Sequence, residues 1–371
     1  MLPHQYQPDD YLRLLDTKIQ RVLGAFKELG APDPSIFESP TSGFRMRAEF
    51  RIWHDGNDLD YVMFNKGESD TPVVIESFPI AHLSIQQLMP ILRSRLKNTP
   101  ELRRRLFQVE FLATTQGQII ITLIYHRPLD AAWESEAASL SSELGFSIIG
   151  RSRRQKLVMG DDFVVEELPV ADKRYLFKQP EQAFTQPNAV INSAMLGWVL
   201  DTQNPNREDL LELYCGVGNF TIPLSQRFQS VLATEVSKVA TRAAIDNLAS
   251  NQVSNVEFAR LSAEEMGIAL RGERPFRRLQ QLSKPLDQYS FSTIFVDPPR
   301  AGLDHGTLSL CQGFNEILYI SCNPMTLIDN LKCLTATHEI SQFALFDQFP
   351  YTDHLECGVQ LMKREPVNAT I

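Results

Sequence analysis

Cysteine is scarce in this chain, and where it is missing matters more than how much there is. Five cysteines stand at 215, 311, 322, 333 and 357, with none in the first 214 residues. The number is odd, the spacing is wide and no C-x-x-C pair occurs, which argues against a disulfide framework, a zinc ribbon or an iron–sulfur centre. Reduced thiols in a cytoplasm are the expectation, and no metal is expected. No run of about 18 uncharged apolar residues is present, so a membrane-spanning helix is not expected. The segment Met1-Leu2-Pro3-His4-Gln5 lacks the basic-then-apolar pattern of a secretory leader. Positive charge is also short. The net charge is −9, with 21 basic against 24 acidic residues up to residue 176 and 15 against 21 beyond it. This argues against a general coat of nucleic acid; a polyanion would have to meet local basic patches on an acidic body.

What is present divides in two. A length of 371 residues suits two domains, and 43% hydrophobic residues suffice for two cores. Leu12, Leu15, Ile19, Val22, Leu23 and Phe26 recur at helical spacing, and Gly30 and Pro32 end that helix. Residues 44–52 alternate: Phe44, Met46, Ala48, Phe50 and Ile52 face one way, and Arg45, Arg47, Glu49 and Arg51 the other. This is a half-buried strand with a mostly basic outer face. Asp55-Gly56-Asn57-Asp58 makes a turn into a returning strand over 59–66, and a second hairpin spans 106–126 with its turn at Gln116-Gly117. Residues 1–176 therefore read as an α+β region. From about residue 187 apolar strand-like runs at 209–214, 230–235, 255–261, 291–297 and 316–322 alternate with helical stretches. That rhythm predicts a parallel sheet of βαβ units over 177–371, a Rossmann-like α/β domain.

The first of these strands runs into Cys215-Gly216-Val217-Gly218-Asn219. A glycine turn after a strand lets backbone approach a bound nucleotide, and Gly216 is placed in that role. Glu235, at the tip of the next strand, stands where an acid holds both ribose hydroxyls of a nucleoside. Only two glycines are present, so the full dinucleotide fingerprint is absent. A nucleoside without a pyrophosphate fits better, and S-adenosylmethionine is the common one. Two further strand ends, Asp297-Pro298-Pro299-Arg300 and Ser321-Cys322-Asn323-Pro324, point into the same crevice, because ligands of a doubly wound sheet sit beyond its carboxyl ends. Cys322 is the cysteine whose position suggests a nucleophile. Its thiol is expected to be acidified by the amino end of the helix that Asn323-Pro324 begins, or by Arg300. Cys311 and Cys333 fall on predicted helices and are read as small buried hydrophobes.

Across nearly its whole length the chain resembles the uracil-5 RNA methyltransferases, and among them those acting on tRNA. The segments that carry the resemblance are Phe184-Thr185-Gln186-Pro187-Asn188, Leu213-Tyr214-Cys215-Gly216, Asp297-Pro298-Pro299-Arg300, Ile320-Ser321-Cys322-Asn323-Pro324 and His354-Leu355-Glu356. The resemblance implies a class I methyltransferase fold behind an amino-terminal RNA-binding region. It makes Cys322 the nucleophile and Glu356 the base, and it matches Gln186, Tyr214, Asn219, Glu235 and Asp297 to cofactor-binding positions. Read from the residues alone, Glu356 is a solvated edge residue before it is a catalytic one. The chemistry is coherent: thiolate addition to uracil carbon 6 makes carbon 5 nucleophilic, and a base must then remove the carbon-5 proton before the thiolate leaves.

Ribosomal-RNA members of this group carry a cysteine cluster and often an extra small β-barrel. Both absences favour tRNA; the resemblance implies the T-loop uridine as target, and a monomer is expected. Cytosine-5 enzymes place a cysteine beside the Asp-Pro motif, and adenine amino-methyltransferases end it with an aromatic residue. Pro298, Pro299 and Arg300 disfavour both. A ribosomal-RNA substrate, or a tRNA-folding chaperone in which methylation is secondary, are the competing readings. Three basic clusters are candidates for phosphate contact: Arg93, Arg95, Lys97 and Arg103–Arg105; Arg151, Arg153, Arg154 and Lys156; and Arg45, Arg47 and Arg51. RNA binding is expected to depend on Arg103–Arg105 more than on net charge. Phe44 and Phe184 are candidate stacking partners, Phe44 being better suited to the core. The stretch Arg274–Arg278 is expected to form a surface loop near the crevice mouth.

Overall fold

In the computed structural model, which describes residues 2–365 apart from 66, 69, 70 and 204–206, the chain builds two large sheets and a hairpin between them. The amino-terminal part contains α1 (Tyr11–Glu28), β1 (Ser35–Phe37), β2 (Arg47–Asp55), β3 (Asp58–Phe64), β4 (Pro72–Val74), α2 (Leu83–Asn98) and α3 (Pro100–Arg103). It continues through β5 (Leu106–Ala113), β6 (Ile119–Tyr125), α4 (Ala131–Leu144), β7 (Ser147–Ser152) and β8 (Gln155–Met159). The expected hairpins are β2–β3 and β5–β6, both antiparallel. The last residue of the expected return strand, 66, lies outside the described residues. The sheet runs β4-β3-β2-β5-β6-β7-β8. The alternation in β2 buries Ala48, Phe50 and Ile52, and Phe50 meets Tyr61, Phe78 and Phe111 in an aromatic cluster. Phe44 is 3% exposed and belongs to this core.

The hairpin β9 (Phe163–Val170) and β10 (Lys173–Pro180) leads into α5 (Ala189–Asp201). Then follow β11 (Asp209–Leu213), α6 (Thr221–Leu224), β12 (Val231–Thr234), α7 (Lys238–Ser250), β13 (Val256–Ala259), α8 (Ala263–Leu270), β14 (Phe291–Val296), α9 (His305–Cys311), β15 (Glu316–Ser321), α10 (Pro324–Leu334), β16 (His338–Phe346) and β17 (Glu356–Lys363). The second sheet is ordered β1-β16-β17-β15-β14-β11-β12-β13, with β17 antiparallel to both neighbours. Counted from β11, this is the order 3-2-1-4-5-7-6. The order reverses between β11 and β14, and the crevice of a doubly wound sheet opens at that reversal. The Rossmann-like expectation is met.

The change of rhythm near residue 176 does not coincide with the division between sheets. β1 pairs in parallel with β16, so the chain's first helix and strand lie with the second sheet. Helix α1 buries Tyr11, Leu15, Lys18, Ile19, Val22 and Phe26, whereas Leu12 is 63% exposed. Its buried stripe therefore starts one residue earlier than the apolar pattern suggests and contains a lysine.

Candidate active site

Every residue singled out as catalytic or cofactor-binding comes to the carboxyl edge of the second sheet. A crevice of about 580 Å³ is lined by Gln186, Tyr214, Gly216, Glu235, Asp297, Arg300, Cys322 and Glu356, with Phe184 at 74% exposure beside them. Asn219 lines an adjoining recess with Gln186, Tyr214, Gly216 and Asp297.

The turn after β11 is sharp. Tyr214 adopts φ +62° and Gly216 φ +56°. A tyrosine in the left-handed region costs of order 1–3 kcal/mol, a strain that folds tolerate at binding sites. The turn directs the Gly216 N–H to Glu235 Oε2 at 3.1 Å, while Glu235 Oε1 accepts the Ser237 N–H at 2.7 Å. Both carboxylate oxygens are thus oriented by backbone before any ligand arrives. Asn219 and Asn192 of α5 exchange amide hydrogen bonds at 2.9 and 2.8 Å. Gln186 Oε1 accepts from Gln348 Nε2 at 2.6 Å. Residues 181–188 are held against the first sheet: Arg47 donates to the carbonyls of Glu181 and Ala183, and Met46 N–H donates to the Pro187 carbonyl at 2.7 Å.

Cys322 follows β15 directly and is half-buried. Asn323 caps α10 by accepting the Met325 N–H at 3.2 Å, so the thiol stands just outside the helix's amino end. Its acidity runs against expectation. Burial, then the charges of Glu356 and Asp297, push the thiol up to about 11, while its backbone hydrogen bond and the Arg300 cation pull it down and are outweighed. Arg300 is turned towards His354, with Nη2 3.1 Å from Nδ1.

The acids explain this. Glu356 opens β17 at 4% exposure, and burial followed by the Asp297 charge raises it to about 8. Burial raises Asp297 to about 7. Glu212, within the apolar run of β11, was not anticipated; an acid amid three leucines was the available signal. It is 1% exposed, neither carboxyl oxygen has a hydrogen-bond partner among the described residues, and burial with Asp297 nearby raises it to about 8. Among the described residues none of the three acids is in a salt bridge. The crevice is therefore short of positive charge, and a cationic ligand would relieve it.

Cys311 is buried and pushed up to about 12, and Cys333 is exposed on α10; neither lines the crevice. The 272–290 insert, which holds Arg274–Arg278, does not line it either. Arg278 nevertheless stays beside the mouth: it donates to the Arg260 carbonyl at 2.6 Å, next to the crevice-lining Leu261, and pairs with Glu265 of α8. The rest of the insert then runs down the sheet, where Ser283 bonds Glu257 of β13 and Lys284 bonds Asp209 at the amino end of β11.

The basic clusters are mostly committed. Arg93 and Lys97 pair with Asp58, Arg95 with Glu143, and Arg103 donates to the carbonyls of Asn57 and Lys97. Arg151 forks onto Glu181 at 2.6 and 2.5 Å. Arg45 and Arg47 bond backbone. Arg51 differs: its guanidinium lies 3.8 Å over the Phe107 ring, which stacks on His126 at 4.0 Å, and Arg51 and His126 are exposed.

The strand order, the glycine turn at its reversal and the acid on the next strand define a class I methyltransferase domain. A model of the tRNA (Uracil-5-)-methyltransferase family matches residues 10–364. The chain is 53% identical over 356 residues to a tRNA/tmRNA (uracil-C(5))-methyltransferase of Acinetobacter baumannii, covering 95% of this chain and 99% of that one. It is 51% identical over 359 residues to the Ectopseudomonas mendocina protein of the same description, covering 97% and 99%. In fold it is similar to the Pyrococcus abyssi tRNA (uracil-54, C5)-methyltransferase, solved with S-adenosyl-L-homocysteine, at TM-score 0.71 and 21% identity, covering 95% of this chain and 83% of that one. The chain belongs to the tRNA (uracil-5-)-methyltransferase family: it is an S-adenosylmethionine-dependent enzyme that methylates uracil carbon 5 in tRNA.

Proposed function

We propose that the target is the T-loop uridine, that Cys322 is the covalent nucleophile and that Glu356 is the base. The observation that carries this reading is the convergence of Cys322 and Glu356, from β15 and β17, on the crevice that also holds Glu235 and Gly216. The Pyrococcus abyssi protein of like fold is described as acting on uracil-54.

The site fits the cofactor on two counts. Its volume lies within the range of about 300–1,000 Å³ usual for such ligands, and its unpaired acids suit a sulfonium cation. Glu235 would take the ribose hydroxyls and the Gly216 turn the nucleoside, with Gln186, Tyr214, Asn219 and Asp297 around the rest. When bound, S-adenosylmethionine supplies an electrophilic methyl group. Cys322 first gives up its thiol proton to solvent; the thiolate sulfur then bonds to uracil carbon 6, moving the ring's π electrons onto the carbon 4 carbonyl oxygen. The enolate's electron pair would then form the bond from carbon 5 to the methyl group, the carbon–sulfur bonding pair staying with the departing neutral thioether. Glu356 removes the carbon-5 proton, the sulfur–carbon 6 bond breaks and the 5,6 double bond returns. Glu356 ionises most readily while a cation is near, and holds a proton most tightly once that charge is gone. Its basicity therefore rises when the proton must be taken.

RNA would stack on Phe184 at the crevice rim and on the Arg51–Phe107–His126 ladder, since exposed rings and guanidinium planes bind unstacked bases. All crevice groups come from one chain, so a monomer suffices, and five free thiols suit a cytoplasm. The test is nucleoside analysis of tRNA from a strain deleted for this chain. 5-Methyluridine should disappear from tRNA and not from ribosomal RNA, and return with the wild-type chain but not with Cys322→Ala. Its persistence in tRNA, or its loss from ribosomal RNA, would overturn the assignment.

A further inference from the structure

We propose that Lys18 is a positioning residue: from α1 it fixes the 347–355 connection that delivers Glu356 to the crevice and His354 to the crevice-lining Arg300. This inference rests on Glu356 being the base.

Lys18 sits on the buried stripe of α1 among Leu15, Ile19 and Val22, at 5% exposure, where a lysine is out of place unless paired. Its ammonium has three protons to donate, and all three have acceptors. Nζ pairs with the buried Asp347 and donates to the Phe349 carbonyl at 3.0 Å and the His354 carbonyl at 3.3 Å. Every acceptor lies on the one connection between β16 and β17, at its beginning, in its first half and two residues before Glu356.

The same connection is tied elsewhere to the amino-terminal segment. Asp347 N–H donates to the Phe37 carbonyl at 3.0 Å. The Tyr351 hydroxyl donates to the Thr41 carbonyl at 2.7 Å, and its ring packs edge-on against Tyr6 and Tyr11. The connection in turn reaches three crevice groups. Gln348 holds Gln186, His354 holds Arg300, and Glu356 is the first residue of β17.

A buried ion pair is a poor source of stability, because apolar residues of similar size often serve as well. What an apolar pair cannot do is grip two carbonyls at fixed points of a loop. Lys18 therefore acts on placement, and its loss should appear in the step that needs Glu356 placed.

The experiment uses the full-length enzyme with S-adenosylmethionine and tRNA bearing tritium at uracil carbon 5, following methyl transfer and tritium release separately. Lys18→Met should leave the KM for tRNA within about twofold and first-turnover methyl transfer near wild type, while tritium release slows by about tenfold or more. Lys18→Met with Asp347→Leu, which removes both buried charges, should recover thermal stability without recovering release. Recovery of release in that double variant would overturn the proposal, as would a rise in KM alone. Glu356→Gln is run alongside. If it fails to separate transfer from release, the base assignment falls; if it separates them and Lys18→Met does not, the positioning claim falls.

Discussion

Replacing Glu356 with glutamine isolates one step of the proposed reaction. Glutamine keeps the size and much of the hydrogen bonding but cannot accept the carbon-5 proton. General-base catalysis contributes about 100-fold or more, so turnover should fall by at least that while thiol addition and methyl transfer persist. A covalent complex with ordinary tRNA should then accumulate, migrate slowly on a denaturing gel and already carry the methyl group. The raised proton affinity gives an independent check that needs no substrate. Glu356 moves from an ordinary 4.5 to about 8. The folded chain therefore holds that proton more tightly than the unfolded chain does. The associated stability is present below about pH 4.5 and is lost as pH rises through about 8. The shift corresponds to an upper limit of about 5 kcal/mol at 1.36 kcal/mol per unit. Glutamine does not ionise, so Glu356→Gln should gain melting temperature relative to wild type at pH 9 and not at pH 5. A variant that turns over at the wild-type rate would refute the base assignment. An unchanged melting difference between the two pH values would refute the burial argument.

The thiol assignment makes a sharp contrast: tRNA containing 5-fluorouridine should form a stable adduct with wild type, Cys311→Ser and Cys333→Ser, and none with Cys322→Ser. Glu235→Ala removes the acceptor of the Gly216 and Ser237 N–H groups and should weaken cofactor binding by about 1–3 kcal/mol; calorimetry showing unchanged affinity in a folded variant would remove Glu235 from the site. A cation entering a crevice lined by the unpaired acids Asp297 and Glu356 lowers their proton affinity. Binding of S-adenosylmethionine at pH 7 should therefore release more protons than binding of the neutral S-adenosylhomocysteine, measured by calorimetry in buffers of different ionisation enthalpy. Equal release would show that the acids do not feel the ligand's charge. Arg51→Glu should lower tRNA affinity and flatten its salt dependence more than Arg103→Glu, because Arg103 is already bonded to Asn57 and Lys97; the reverse order would move the interface to α3.

The sequence by itself determined the alternation of β2, the change to strand–helix rhythm and the strand ends that hold Gly216, Glu235, Asp297 and Cys322. These signals are local: a period of two, a glycine turn, an acid at a fixed distance. They survive because the carboxyl ends of a parallel sheet converge whatever the loops do. Glu356 was legible only through family likeness, since an acid beginning an apolar strand carries no local mark of its function. Tertiary structure alone decided the rest. Whether an arginine faces solvent or grips a carbonyl depends on partners far along the chain, so Arg47 and Arg151 proved to hold the 181–188 segment, and Arg51 lies exposed over the Phe107 ring. The direction of the Cys322 shift also lay beyond the sequence. A helix end and an arginine argue for an acidic thiol, but burial beside two carboxylates from β14 and β17 outweighs them. The lysine inside the apolar stripe of α1 makes the same point, because its three acceptors lie more than 320 residues away, in a loop that only folding brings to it.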